Sequence, residues 1–189
     1  TSTDIDVNNS TDGGNNGPCW LFPSLTFTIS ATSVSMDLNS GNDMTSTTES
    51  VLNVTAKAQF GYQISAFKTQ LMTSSPHTIS DFPGTYTAPD NWESTCNAGG
   101  SAFCGFGYTT DDGALPGADT NRFTTATGVC TTAPCYAAFS STSPGDVIGD
   151  LSTSVVNDLT IITYRTSVPT SQAIGTYTTT IVYIATPQF

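Results

Sequence analysis

The stretch GTYTTTIVYIATPQF, residues 175–189, decides the fold. Thr, Tyr, Ile and Val alternate along it, and no charged residue interrupts them. β-Branched and aromatic residues at a period of two fit a pleated, half-buried strand. Ile181, Val182, Tyr183 and Ile184 are consecutive, which predicts burial of both faces. Residues 158–168, DLTIITYRTSV, read as a second strong strand, and PTSQAIG joins the two. The expectation is an antiparallel hairpin near the centre of a sheet. Pro187 restricts pairing only at the very end.

The same period recurs toward the N terminus. Leu52, Val54 and Ala56 alternate with polar partners, as do Tyr62, Ile64 and Ala66, with Gly61 marking a turn or bulge between them. Phe27 and Ile29 share one face, and Val34, Met36 and Leu38 share another, so residues 20–38 predict one or two strands. Residues 39–49 read as a loop. Residues 74–146 hold most of the prolines and four clustered cysteines, and read as long loops with short strands. Loops of that length are uncommon unless pinned or functional. No window carries a convincing 3.6-residue period. The prediction is an all-β antiparallel sandwich, jelly-roll or Ig-like, with long disulfide-stapled loops and an extended N-terminal segment.

A chain of 189 residues suits one such domain. Residues 1–18 form a linker-like extension or donor strand rich in Asn, Gly, Asp and Ser, within which Thr3, Ile5 and Val7 alternate with polar residues. Residues 19–189 form the single sandwich. Formal net charge is −11, from 15 acids against 4 Lys and Arg. Lys57, Lys68, Arg122 and Arg165 cannot make a basic stripe, which argues against nucleic acid and anionic membranes. No apolar run reaches the length of a membrane span. No basic start leads into an apolar segment, so an exported chain would here be in its processed form.

Five cysteines stand at Cys19, Cys96, Cys104, Cys130 and Cys135, and His77 is the only histidine. The spacings do not suit zinc. Two local disulfides, Cys96–Cys104 and Cys130–Cys135, are the expected pairing, with Cys19 the free thiol or an alternative partner. Disulfides imply an oxidising compartment.

Catalytic patterns are weak. His77 lies in the loop SSPHTIS, and no GxSxG occurs. The carboxylate pairs Asp90 with Glu93, Asp111 with Asp112, and Asp146 with Asp150 all sit in turn-like contexts, where Asp caps turns. The chain is therefore read as a non-enzyme. Asp111, Asp112 and Asp119 on TTDDGALPGAD offer hard oxygens that suit Ca²⁺, without the EF-hand spacing; ordinary turn aspartates are the competing reading. Trp92, with Tyr86 or Tyr108, would stack on a sugar ring or else plug the sandwich end beneath the loops. Asn8, Asn9 and Asn53 open N-x-S/T triplets.

The ending GTYTTTIVYIATPQF resembles the closing strand of secreted fimbrial and spore-coat-U-type subunits. A longer likeness runs through NVTAKAQFGYQISAFKTQ, TISDFPGTYTAP, CGFGYTTDD, DTNRF and SPGD. Over roughly residues 50–189 the chain is similar to uncharacterised secreted β-rich surface proteins of small-genome bacterial candidate phyla. The resemblance implies an exported, β-rich, non-catalytic protein, and for the fimbrial likeness it implies donor-strand exchange. The TSTDIDV segment is shorter than a usual fimbrial donor stretch. The expected function is a structural subunit of an extracellular or cell-surface filament or layer, a homopolymer built by strand donation, with Ile5 and Val7 as the subunit contacts. The alternative is a monomeric, lectin-like or adhesive module that binds surface glycans, with or without Ca²⁺.

Overall fold

A computed structural model of the chain describes residues 23–38, 44–92, 96, 104–117 and 121–189. Every regular element among them is a strand. In chain order these are β1 (Leu25–Ile29), β2 (Thr45–Ala56), β3 (Tyr62–Lys68), β4 (Met72–Ser74), β5 (His77–Ile79), β6 (Gly105–Thr110), β7 (Asp146–Leu151), β8 (Val155–Ser167) and β9 (Ile181–Pro187). One sheet has the order β1-β2-β8-β6 and a second has the order β7-β3-β9. β4 and β5 form a separate two-stranded ribbon. All paired strands run antiparallel.

The period of two explains why these sheets face one another. Leu52, Val54 and Ala56 of β2 and Tyr62, Ile64 and Ala66 of β3 are buried, with polar neighbours between them. They meet Phe106 and Tyr108 of β6, Ile148 of β7, and Ile162 and Tyr164 of β8 in one core. Each large apolar side chain removed from water there contributes about 1.5–3 kcal/mol before entropy is subtracted. The all-β antiparallel fold expected from the alternation is therefore present, as two sheets over one core.

Gly61 lets the chain pass from β2 to β3, which lie in different sheets. Its φ is +73°, and a Cβ there would run into the Leu151 carbonyl.

Two expectations about pairing are corrected. Residues 158–168 and 175–189 do not form a hairpin, because β8 lies between β2 and β6 while β9 pairs with β3 in the other sheet. The chain crosses between sheets after Pro169, and Thr178 pairs with Thr73 on the way. Ile181–Ile184 are accordingly half-buried rather than enclosed. Residues 34–38 make no strand: Val34 is exposed, and only Met36 packs on the core. β2 also starts inside the segment expected as a loop.

Candidate functional site

Three places on the sandwich differ in how their polar groups and edges are used. On the side formed by β6 and β7 the edges are capped. Phe106 exchanges backbone hydrogen bonds with Ser80 and Phe82, and Tyr108 does so with Ala137. The motif GFGYTTDD shows why. Phe106 and Tyr108 point into the core. Gly107, between them, leaves room on the outer face for Phe82 and Trp92: a Cβ there would lie 2.9 Å from Phe82 Cβ and 2.8 Å from the Ala137 carbonyl oxygen. Phe82 and Trp92 stack at 4.3 Å, Tyr136 meets Trp92 edge-on, and the Arg165 guanidinium lies 5.1 Å from the Trp92 ring centre. This makes a second small core of Phe82, Trp92 and Tyr136.

The end of that motif fastens β6 to its neighbours. Thr110 Oγ1 donates to the Ile148 carbonyl at 2.8 Å, and Asp112 Oδ2 accepts from the Asp150 N–H at 2.7 Å. Asp112 Oδ1 accepts from Ala114 N–H, and Asp111 Oδ1 accepts from Ile161 N–H at 2.7 Å. Burial pushes the Asp112 carboxyl above its usual range, against the pull of its two N–H donors. Asp150 is pushed up to about 6, first by burial and then by Asp112, while Arg122 pulls it back. Its Oδ1 is buried without a hydrogen-bond partner among the described residues.

The opposite side is different. β1 pairs only with β2 and β9 only with β3, so each leaves one edge unpaired among the described residues. The two strands approach one another there. Leu25, Phe27 and Ile29 of β1, and Ile181, Tyr183 and Ala185 of β9, touch the core yet stay partly exposed. The Tyr183 and Tyr164 hydroxyls share a hydrogen bond, and burial holds the Tyr183 phenol far above its ordinary range. Val182 and Ile184 face away from that core, half-buried, with Phe67 of β3 opposite Val182. β9 carries no charge and no bulge. Edge strands of soluble proteins normally carry such devices.

The third place is a recess of about 430 Å³ between residues 81–87, residues 138–141 and the start of β7. Lys68 and Asp146 line it, together with the Tyr86 ring. Lys68 falls on the inward phase of β3 and is only 3% exposed. Its ammonium donates to Asp81 Oδ2 at 2.7 Å and to the Phe139 carbonyl at 2.9 Å. Arg122 stacks on Tyr86, 4.0 Å from the ring centre.

The sequence candidates fall out as follows. Cys96–Cys104 and Cys130–Cys135 are bonded as expected. Asn91 clamps the second loop, donating to the Thr132 carbonyl and accepting from Thr131 N–H and Oγ1. Cys19, Ile5, Val7, Asn8, Asn9, Glu93 and Asp119 lie outside the described residues. Asp111 and Asp112 spend their carboxylates on backbone N–H groups, and no group of three potential metal ligands occurs among the described residues. Trp92 and Tyr108 are buried, so they form no exposed sugar-stacking shelf, whereas Tyr86 faces the recess. The sequence reading missed Lys68; its place in the Tyr62, Ile64, Ala66 phase was the signal that it points inward.

No protein-family model, curated protein or solved structure matches the chain. The two disulfides fit an oxidising environment. No helix among the described residues is long and apolar enough to cross a membrane.

Proposed function

We propose that the chain is a structural subunit of an extracellular filament or surface layer, in which residues 1–18 of one copy add as a strand to the open edge of β9 in the next. One observation carries this reading: β9 is an uncharged edge strand, unpaired on one side among the described residues, with half-buried apolar residues on both faces. Its free N–H and C=O groups offer a template for an added strand. β1 lies beside it, with its own half-exposed apolar row.

The donor is the alternating segment TSTDIDV, with Ile5 and Val7 as the side chains that enter the apolar surface. Those two side chains would contribute roughly 3–6 kcal/mol before entropy is subtracted. Each backbone hydrogen bond of the new ladder adds about 1 kcal/mol net. The hydroxyl-rich surface and the two disulfides suit persistence outside the cell. The resemblance of the closing strand to fimbrial and spore-coat-U-type subunits points the same way.

Electron microscopy of the purified chain tests the reading. Wild type is expected to form fibres or sheets, and Val182→Lys with Ile184→Lys, which places charge on the outer face of β9, is expected to leave discrete, cooperatively melting particles, with a lowered midpoint because both side chains are half-buried. Discrete particles from wild type at every concentration would overturn it.

A further inference from the structure

We propose that the recess lined by Lys68, Tyr86 and Asp146 binds a neutral pyranose unit of a glycan. This site is distinct from the assembly surface: no residue of β1 or β9 lines it, although Lys68 at its floor pairs with Ile181 of β9. Its volume of about 430 Å³ falls in the range of roughly 300–1,000 Å³ typical of small-ligand sites.

The chemistry of the walls selects the ligand. Asp146 is half-buried, and its carboxylate makes no hydrogen bond to any described residue. A carboxylate left in this way accepts two O–H donors side by side, which is what adjacent hydroxyls of a pyranose present. Burial raises the Asp146 carboxyl and Arg122 draws it back. Across the recess, the Lys68 ammonium has three donors and two protein partners. The third donor suits a hydroxyl or ring oxygen of the same sugar. Thr85 and Ser140 add hydroxyls at the rim. The Tyr86 ring supplies an apolar wall for the sugar C–H groups, held in place by Arg122 stacked upon it and by Phe123 at 6.2 Å.

The same walls disfavour other ligands. Asp81 and Asp146 are balanced by Lys68 and Arg122, which suits a neutral ligand, and the overall charge of −11 disfavours an anionic one. A cationic ligand would have to sit beside a buried ammonium.

Saturation-transfer NMR on the full chain tests this, using the methyl glycosides of mannose, galactose, glucose and N-acetylglucosamine, with methylammonium and acetate as controls. The method reads both monomers and large assemblies. Transfer to the ring protons of at least one glycoside is expected, with none to either control. Asp146→Asn is expected to weaken that binding at least about tenfold. It removes a charge on which no hydrogen bond among the described residues depends, so the melting midpoint should hold. Tyr86→Leu is expected to weaken binding by a similar factor through loss of the stacked wall. Absence of transfer from every glycoside, equal transfer in Asp146→Asn, or preference for methylammonium would each overturn the proposal.

Discussion

The two sides of this sandwich solve the problem of strand edges in opposite ways. On the β6 and β7 side, the outer edge of β6 is covered by residues 80–82 and 137, and Thr110 and Asp112 supply hydrogen-bond partners to β7. The outer face of β6 is sealed by Phe82 and Trp92. On the β1 and β9 side the described chain supplies no such cover, and the apolar rows of both strands stay half-exposed. The difference teaches where the stability of this fold resides and which edge the proposed assembly would use.

If that contrast is right, equal truncations on the two sides should cost unequal amounts. Phe106→Ala removes a ring that is 3% exposed and packed against Phe139 and Tyr164. It should cost about 3–5 kcal/mol in denaturant titration. Phe27→Ala, on the half-exposed β1, should cost about 1–2 kcal/mol in a chain kept monomeric. Equal losses would erase the distinction.

The stapled loops belong to the capped side, so opening one should be felt there first. Replacing both Cys130 and Cys135 by Ser releases the loop that Asn91 clamps. The expected loss is about 2 kcal/mol. Hydrogen exchange should rise around Tyr136 and Ala137, with β9 unaffected.

A smaller effect separates the sides by pH. Asp150 holds its proton more tightly folded than unfolded, since its carboxyl rises from 3.8 to about 6. Its contribution to stability is therefore present at low pH and fades as pH climbs from 3.8 through about 6. Solvent screens a half-buried group, so the effect should stay below about 1 kcal/mol. Asp150→Asn should flatten the pH dependence of the melting midpoint across that window, while leaving assembly unchanged. A steeper profile in the variant would contradict the assignment.

The alternation was legible in the sequence wherever a strand buries one face. Leu52, Val54, Ala56, Tyr62 and Ile64 sit in the core as their spacing indicates. The local disulfides were legible too, because short separations leave few ways to close. Sheet membership was not. A period of two says which side chains turn inward, but says nothing about which neighbour a strand pairs with, so β8 and β9 looked like a hairpin and lie in different sheets. Ile181–Ile184 show the same limit: four consecutive apolar residues read equally as a strand enclosed in its own sheet and as a half-buried edge strand. The recess was hidden for another reason. Lys68 and Asp146 stand 78 positions apart and meet only because β3 pairs with β7.

Amide hydrogen exchange in β9 tests the assembly claim most directly, comparing the full chain with one lacking residues 1–18. In the full chain under assembling conditions, the outward amides of residues 181–186 should be protected. In the shortened chain that protection should vanish, and a synthetic peptide of residues 1–18 should restore it. Identical exchange in the two chains would show that no donated strand completes β9.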